Sequence, residues 1–415
     1  MKRKIASVLC CTLAFAALAA CGQNKNEPGT EKKEEANSKI VIATNMTNIV
    51  DTTLADMAEE FMEANPGTTI EYEAIKDYES VIATRVASGE APDIYIVIDG
   101  MTTDNMDAYF MPLDDLDVDW DNIYFSRDYT AADGHVYAIA DSVNYGGIVY
   151  NKAAFQKAGI EEVPQTAEEF MGACEKLKAA GITPLGTAFK DVWPIYPWVS
   201  WSMAQIAING NEEGQNAYID NDEVFDGTMA ESMGFIRRLY QNGYLEEDIM
   251  SANWDQLKVD LSSGSTAMFY SESWLPAQIV EGGANAEDVG MFPYPGAKGI
   301  YVTAGKSYGI SKDCENPELA LKYLKFMIEE GRNAIACSTL PAQKDCDTGD
   351  RFVEELLSYG IEPIECAAAK AEFGNRKNEI ELDEQSLLMT YVMENDDTAA
   401  QAILDEWNAK WAAAR

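Results

Sequence analysis

The residues best able to do chemistry in this chain are tryptophans set among carboxylates and amides. Trp193, Trp198 and Trp201 crowd into residues 191–201, a stretch broken by Pro194 and Pro197. Proline there works against one long helix, so some of these indoles are expected on a loop rather than in a core. Trp274 follows Ser271-Glu272-Ser273, just past the strand-like run 266–270. A ligand with apolar C–H faces and a rim of hydroxyls requires flat aromatic platforms with Asp, Glu, Asn and Arg around them. Sugars are such ligands. Core packing accounts for any single tryptophan about as well, because tryptophan is highly buried on average.

Three other patterns point to chemistry and fail on their own terms. Gly305-Lys306-Ser307-Tyr308-Gly309 matches the G-x-S-x-G nucleophile elbow, but the elbow needs a histidine later in the chain. The single histidine, His135, lies upstream. Gly299 to Ser307 imitates a phosphate loop with five residues between the glycines, where the backbone cradle needs four. The acidic run 114–121 spaces carboxylates by two, yet Asn122 and Asp128 stand where a calcium loop wants Gly and Glu. It is read as a solvated acidic turn. No metal or cofactor is expected.

The elements that must position the tryptophans alternate in type. Residues 39–43 read as a buried strand, and Leu54, Met57, Ala58, Phe61 and Met62 form one helix face stopped by Asn65-Pro66-Gly67. A strand over 69–75, a helix over 78–88 and an apolar strand over 94–98 follow. Strand–helix alternation is the mark of an open α/β sheet, in which ligands bind beyond the carboxyl ends of strands. Asn45, Asn48, Tyr78 and Asp99 lie at or near such ends.

Strands are next expected over 135–140 and 147–150. Asn151 caps a short helix ended by Gly159, and Thr166 with Glu169 makes a capping box for a longer one ended by Gly181. A second α/β set occupies the rest: strands over 182–188, 266–270 and 302–310, and helices over 229–241, 254–263, 317–330 and 398–415.

At 415 residues the chain is long enough for two well-filled domains, and 47% apolar residues mark it as globular. Lys2-Arg3-Lys4, the apolar run 5–20 and Leu18-Ala19-Ala20-Cys21 read as a secretory leader, residues 1–20. Its removal takes 3 of the 31 basic residues, leaving 28 against 70 acidic, a net charge of −42. Such a surface repels nucleic acid and anionic headgroups. Residues 21–38 lack aromatics and read as a flexible tether. No later stretch is apolar enough to span a membrane. Five cysteines beyond Cys21, an odd number without C-x-x-C spacing, indicate neither a disulfide framework nor zinc. Cys174 falls on a helix's apolar stripe, and Cys337–Cys346 is the one pairing whose spacing invites a bridge.

The order of particular motifs carries a resemblance. YAIADSVNYGGIVYNKAAFQKAGI (137–160), PQTAEEF (164–170), KLKAAGITPL (176–185), SGEAPDI (88–94), SSGSTAMFYSESW (262–274) and VGMFPYPG (289–296) together resemble the family 1 extracellular solute-binding proteins. These are carbohydrate receptors of ABC importers with the fold of maltose-binding protein, and the likeness covers most of residues 38–330. It implies an α/β, two-lobed, periplasmic-binding-protein-like (type II) fold with hinge crossovers and a ligand cleft between lobes. Lobe I would comprise 39–143 and 306–355, and lobe II 144–305 and 356–415. Trp274, Trp193 and Asp191, the crossover residues Asn144 and Tyr145, the loop residues Tyr78 and Glu79, Asp99, Asn45, Asn48 and Glu272 become the expected sugar contacts.

LAAC resembles a bacterial lipobox, which implies a lipid on Cys21 and an extracytoplasmic protein anchored to the cell membrane. ABC permease subunits are the implied partners. Two other readings stay open: an extracytoplasmic glycan-processing enzyme using a carboxylate pair, and a related receptor for a non-sugar solute.

Overall fold

The first described strand coincides with the first strand-like apolar run after the leader. The computed structural model describes residues 38–347 and 349–414. The leader, Cys21 and nearly all of the tether lie outside the described residues. Strand β1 (Lys39–Thr44) and strand β2 (Thr69–Ala74) pair in parallel, from Lys39 opposite Thr69 to Thr44 opposite Ala74. A parallel pair needs a crossover, supplied by the helix Thr53–Ala64, which buries Leu54, Met57, Ala58 and Phe61 as its periodicity predicts. The helix Tyr78–Ser88 leads to β3 (Ile94–Ile96), again parallel to β1. The expected strand–helix alternation is therefore observed.

β4 (Ile139–Ala140) is followed, after Asp141 alone, by β5 (Ser142–Asn151). Then come β6 (Thr183–Leu185), β7 (Thr266–Glu272), β8 (Val289–Phe292), β9 (Ile300–Ala304), β10 (Ser307–Ile310), β11 (Leu340–Pro341) and β12 (Pro363–Glu365). One sheet has the order β2-β1-β3-β10-β4, and the other β12-β9-β5-β7-β6, with β8 and β11 also paired to β5. Both belong to one unit, Lys39–Arg415.

The second sheet is covered on both faces. Ile148 belongs to one buried cluster with Phe170, Leu177 and Trp198, while its neighbour Val149 belongs to another with Leu257, Phe269 and Leu356. The long helix Ala167–Ala179 is held by the expected capping box. Thr166 Oγ1 accepts from the Glu169 amide at 3.2 Å, and Glu169 Oε2 accepts from the Thr166 amide at 3.1 Å. Cys174 is fully buried on its inner face.

Several expectations change. The short strand over 147–150 lengthens to ten residues, because β9, β7 and β8 each pair with part of it. Gly147 is required there: a Cβ would lie 2.9 Å from the Phe292 carbonyl oxygen. The run 302–310 breaks at Gly305-Lys306, with β9 in the second sheet and β10 in the first. A Cβ on Gly305 would lie 3.0 Å from the Ser142 carbonyl oxygen, so the two crossings pass almost in contact. Of the strand over 135–140 only Ile139–Ala140 forms, with Val136 in an isolated bridge to Thr130. Cys337 and Cys346 are both free thiols. Among the described residues no helix is long and apolar enough to cross a membrane.

Candidate functional site

Two groups of expected site residues form, one at each sheet. The second-sheet group starts where β7 ends. Glu272 closes the strand, and the next residue is fixed by a reciprocal pair: the Tyr145 amide donates to Ser273 Oγ at 3.1 Å, and the Ser273 amide to the Tyr145 carbonyl at 2.9 Å. Trp274 is thereby aimed. Its indole N–H donates to Glu272 Oε2 at 2.9 Å, and Thr303 Oγ1 donates to Glu272 Oε1 at 3.0 Å. Asn144 Nδ2 reaches Thr303 Oγ1 at 3.5 Å.

Trp193 comes from the loop after β6. The loop is tied down by Glu246, which accepts from the Thr187 amide at 2.7 Å and the Thr187 hydroxyl at 3.0 Å. Burial raises the Glu246 carboxyl above the usual range, against the pull of those bonds. Val192 then adopts φ +65°, a conformation a β-branched residue takes only at a cost of about 1–3 kcal/mol. That turn leaves Trp193 37% exposed, whereas Trp198 and Trp201 are buried in short helices. Of the three closely spaced indoles only the first is exposed, and it opens the 3₁₀ turn Trp193–Ile195 rather than standing on an irregular loop.

A residue that sequence reasoning passed over completes the group. Trp254 opens the helix Trp254–Ser263, and its amide donates to Asp191 Oδ2 at 2.6 Å. Its ring centroid lies 5.1 Å from Trp193 and 5.8 Å from Trp274, and Trp193 and Trp274 are 6.1 Å apart. Trp254 looked like an ordinary first residue of an amphipathic helix; its place three residues from that helix's first buried position carried no other signal. Tyr124 was missed as well. It stands edge-on to Tyr145, centroids 6.5 Å apart, and burial followed by this neighbour holds the Tyr145 hydroxyl neutral well above its ordinary range.

The first-sheet group is differently used. Asn45, Tyr78 and Glu79 line a shallow hollow of about 360 Å³ with Lys76 and Asp77. Tyr78 is only 6% exposed, and its hydroxyl donates to the Ala43 carbonyl at 3.2 Å and accepts from the Ile96 amide at 2.9 Å. It braces β1 against β3. Glu79 Oε2 accepts from the Asp99 amide at 3.0 Å. Asp99 lines a different hollow, with Tyr109 and Lys312, and Asn48 stands exposed in the turn after β1.

Between the groups, Asp141 marks the crossing from β4 to β5. Its amide donates to the Lys306 carbonyl at 2.8 Å, and its carbonyl accepts from the Ala342 amide at 3.0 Å. Its carboxyl is 3% exposed, with Oδ2 bonded to Asn333 at 2.9 Å and Oδ1 without a partner. Burial pushes it up to about 7, although Asn333 and Lys306 pull the other way.

The catalytic imitations do not assemble. Ser307 is buried in the β10 strand rather than on a strand-to-helix elbow, and His135 bonds Asp114 at 3.0 Å on the surface. In the acidic run, Asp117 is paired with Lys325 at 2.5 Å. Among the described residues no His, Cys, Asp and Glu group is placed to hold a metal ion. What the second-sheet group presents is aromatic surface beside fixed hydrogen-bonding groups.

Comparison with known proteins points the same way. The chain is 26% identical over 328 residues to the multiple sugar-binding protein of Streptococcus mutans, covering 75% of this chain and 74% of that one. It is 25% identical over 367 residues to the diacetylchitobiose-binding protein DasA of Streptomyces coelicolor, covering 82% of each. The fold matches the mannobiose complex of the ABC-transporter binding protein BlMnBP1 of Bifidobacterium animalis subsp. lactis. That match has a TM-score of 0.70 at 24% identity, over 92% of this chain and 95% of that one. The model of the bacterial extracellular solute-binding proteins matches residues 43–334, and the chain belongs to that family.

Proposed function

We propose that this protein is an extracytoplasmic receptor that binds a sugar or oligosaccharide and delivers it to the permease of an ABC importer. The observation that carries this is the cluster of Trp193, Trp254 and Trp274 beside Glu272, Thr303 and Asn144. Indole faces take the apolar side of a pyranose, and the carboxylate, hydroxyl and amide take its hydroxyls. The named relatives, described as binding multiple sugars, diacetylchitobiose and mannobiose, support the class.

The ligand is held and released unchanged. Glu272 and Asp191 are each engaged in positioning an indole residue, which favours binding over acid–nucleophile chemistry. Lobe I is taken as 39–143 with 306–355, and lobe II as 144–305 with 356–415. Near the last boundary Phe352 and Leu356 belong to a cluster of the second sheet and Val353 to that of the first, as expected of a segment lying between the lobes. Closure would turn on the crossings at Asp141 and Gly305-Lys306. Contacts from the first lobe are assigned to Asn45, Asn48, Glu79 and Asp99, with Tyr78 bracing them. Lipidation at Cys21 would anchor the receptor to the membrane.

Thermal unfolding of the mature protein against mono- and oligosaccharides, amino acids and peptides tests this. Ligands that bind only the folded state raise its stability. Shifts confined to some sugars are expected; a shift with peptides alone, or with none of the panel, would sink the sugar assignment.

A further inference from the structure

The geometry of the indole cluster limits how much sugar it can hold. An aromatic ring and a ligand atom touching it are about 3.5–4.0 Å apart, so a sugar clasped between two indoles needs roughly twice that between them. The three centroid separations are 5.1, 5.8 and 6.1 Å. The indoles touch one another, and nothing fits between them. Nor do they form a level strip along which successive sugar rings could lie. Their planes meet, in the same order, at 73°, 71° and 57°.

The remaining faces are largely used. Phe269, 2% exposed, closes the cluster from the core, with centroids 6.3 Å from Trp193 and 5.8 Å from Trp254. Lys258 Nζ lies over Trp254, 5.3 Å from its ring centre. Trp274 has its N–H edge committed to Glu272. The outward surface is led by Trp193, at 37% the only exposed tryptophan among the described residues.

Resting on the receptor reading above, we propose that Trp193, Trp254 and Trp274 form one subsite that holds a single sugar ring. Any further rings of an oligosaccharide are held elsewhere, and not by another of these indoles. Trp254 belongs to this subsite as much as the other two, because its ring sets the angle of both.

The test uses the mature protein and titration calorimetry. A panel of mono- to pentasaccharides of the manno-, gluco-, xylo- and chito-series identifies the shortest sugar that binds and its next longer homologue. Trp193→Ala, Trp254→Ala, Trp274→Ala and the double variant Trp193→Ala/Trp274→Ala are then titrated with both. Each single variant is expected to weaken binding about tenfold or more. The factor should be the same for the short and the long sugar, and the double variant should lose little beyond the worse single one. A tryptophan that is silent for the short sugar and costly for the long one would overturn the inference, as would losses that multiply in the double variant. Should an alanine variant fail to fold, the Phe variants keep the aromatic packing and are held to the same equality between ligands. Failure of the unsubstituted protein to bind any sugar would remove the receptor reading and the subsite with it, an outcome separate from the others.

Discussion

The two groups of candidate residues use the same kinds of side chain for different ends. At the first sheet, Tyr78 and Glu79 spend their oxygens on backbone amides and carbonyls of β1, β3 and the loop after β3. At the second, the backbone is fixed by the Ser273 hydroxyl and the Glu246 carboxylate, and other side chains bond to side chains, leaving Trp193 exposed. A polar residue near a strand end is therefore available to a ligand only to the extent that its own atoms are not already spent on the strand. In the first group Tyr78 braces the strands, while in the second the side chains brace one another.

Asp141, where the chain passes between the two, carries the largest expected effect. Its carboxyl titrates near 7 in the folded chain, above the ~3.9 of an unfolded aspartate, so the folded state retains a proton the unfolded state releases. The resulting stability is complete below about pH 4 and is lost as the pH rises through 7. Asp141→Asn should raise stability at pH 8 by on the order of 3 kcal/mol and flatten the decline between pH 5 and 8. Urea unfolding at the two pH values measures this, and an unchanged decline would place the titration on another group.

Trp274→Ala should cost about 1–3 kcal/mol of sugar binding, the scale of a well-packed aromatic anchor, with little change in fold. Calorimetry that finds unaltered affinity in a folded variant would take Trp274 out of the second group. Tyr78→Phe should do the converse. It strands the Ile96 amide and the Ala43 carbonyl, a loss of about 1–2 kcal/mol in stability by denaturation. Affinity should stay within twofold, and a larger loss of binding than of stability would erase the contrast. Glu79→Ala, on the exposed side of the same helix, should shift stability by less than about 0.5 kcal/mol. Affinity should fall measurably, because Glu79 is proposed as a contact, and unchanged affinity in the folded variant would take Glu79 out of the site.

Much of the architecture was legible because it is local. The Thr166–Glu169 capping box, the Asn151 cap and the apolar stripe of the helix Thr53–Ala64 depend on residues a few positions apart, and each forms as the spacing predicts. The order of motifs through 88–296 likewise pointed to the family. Within the site, Trp193, Trp274, Glu272, Asn144 and Tyr145 were readable as polar and aromatic residues at strand ends or at the crossover.

What composition and periodicity determined was which segments would be helix or strand, which side of each is apolar, and that the surface would be strongly acidic. Pairing between distant segments was left to the tertiary structure. Gly146 and Gly147 weaken a strand taken alone, and only β7, β8 and β9 make β5 continuous through them. Gly305-Lys306 reads as part of one strand until the two sheets claim its two halves. Trp254 and Trp193 meet through Asp191, and Tyr78 is turned inward by two backbone groups that lie far from it in sequence. Each of these is a contact between residues that share no period, so no local pattern could encode it, and the packed chain alone decides which indole faces outward.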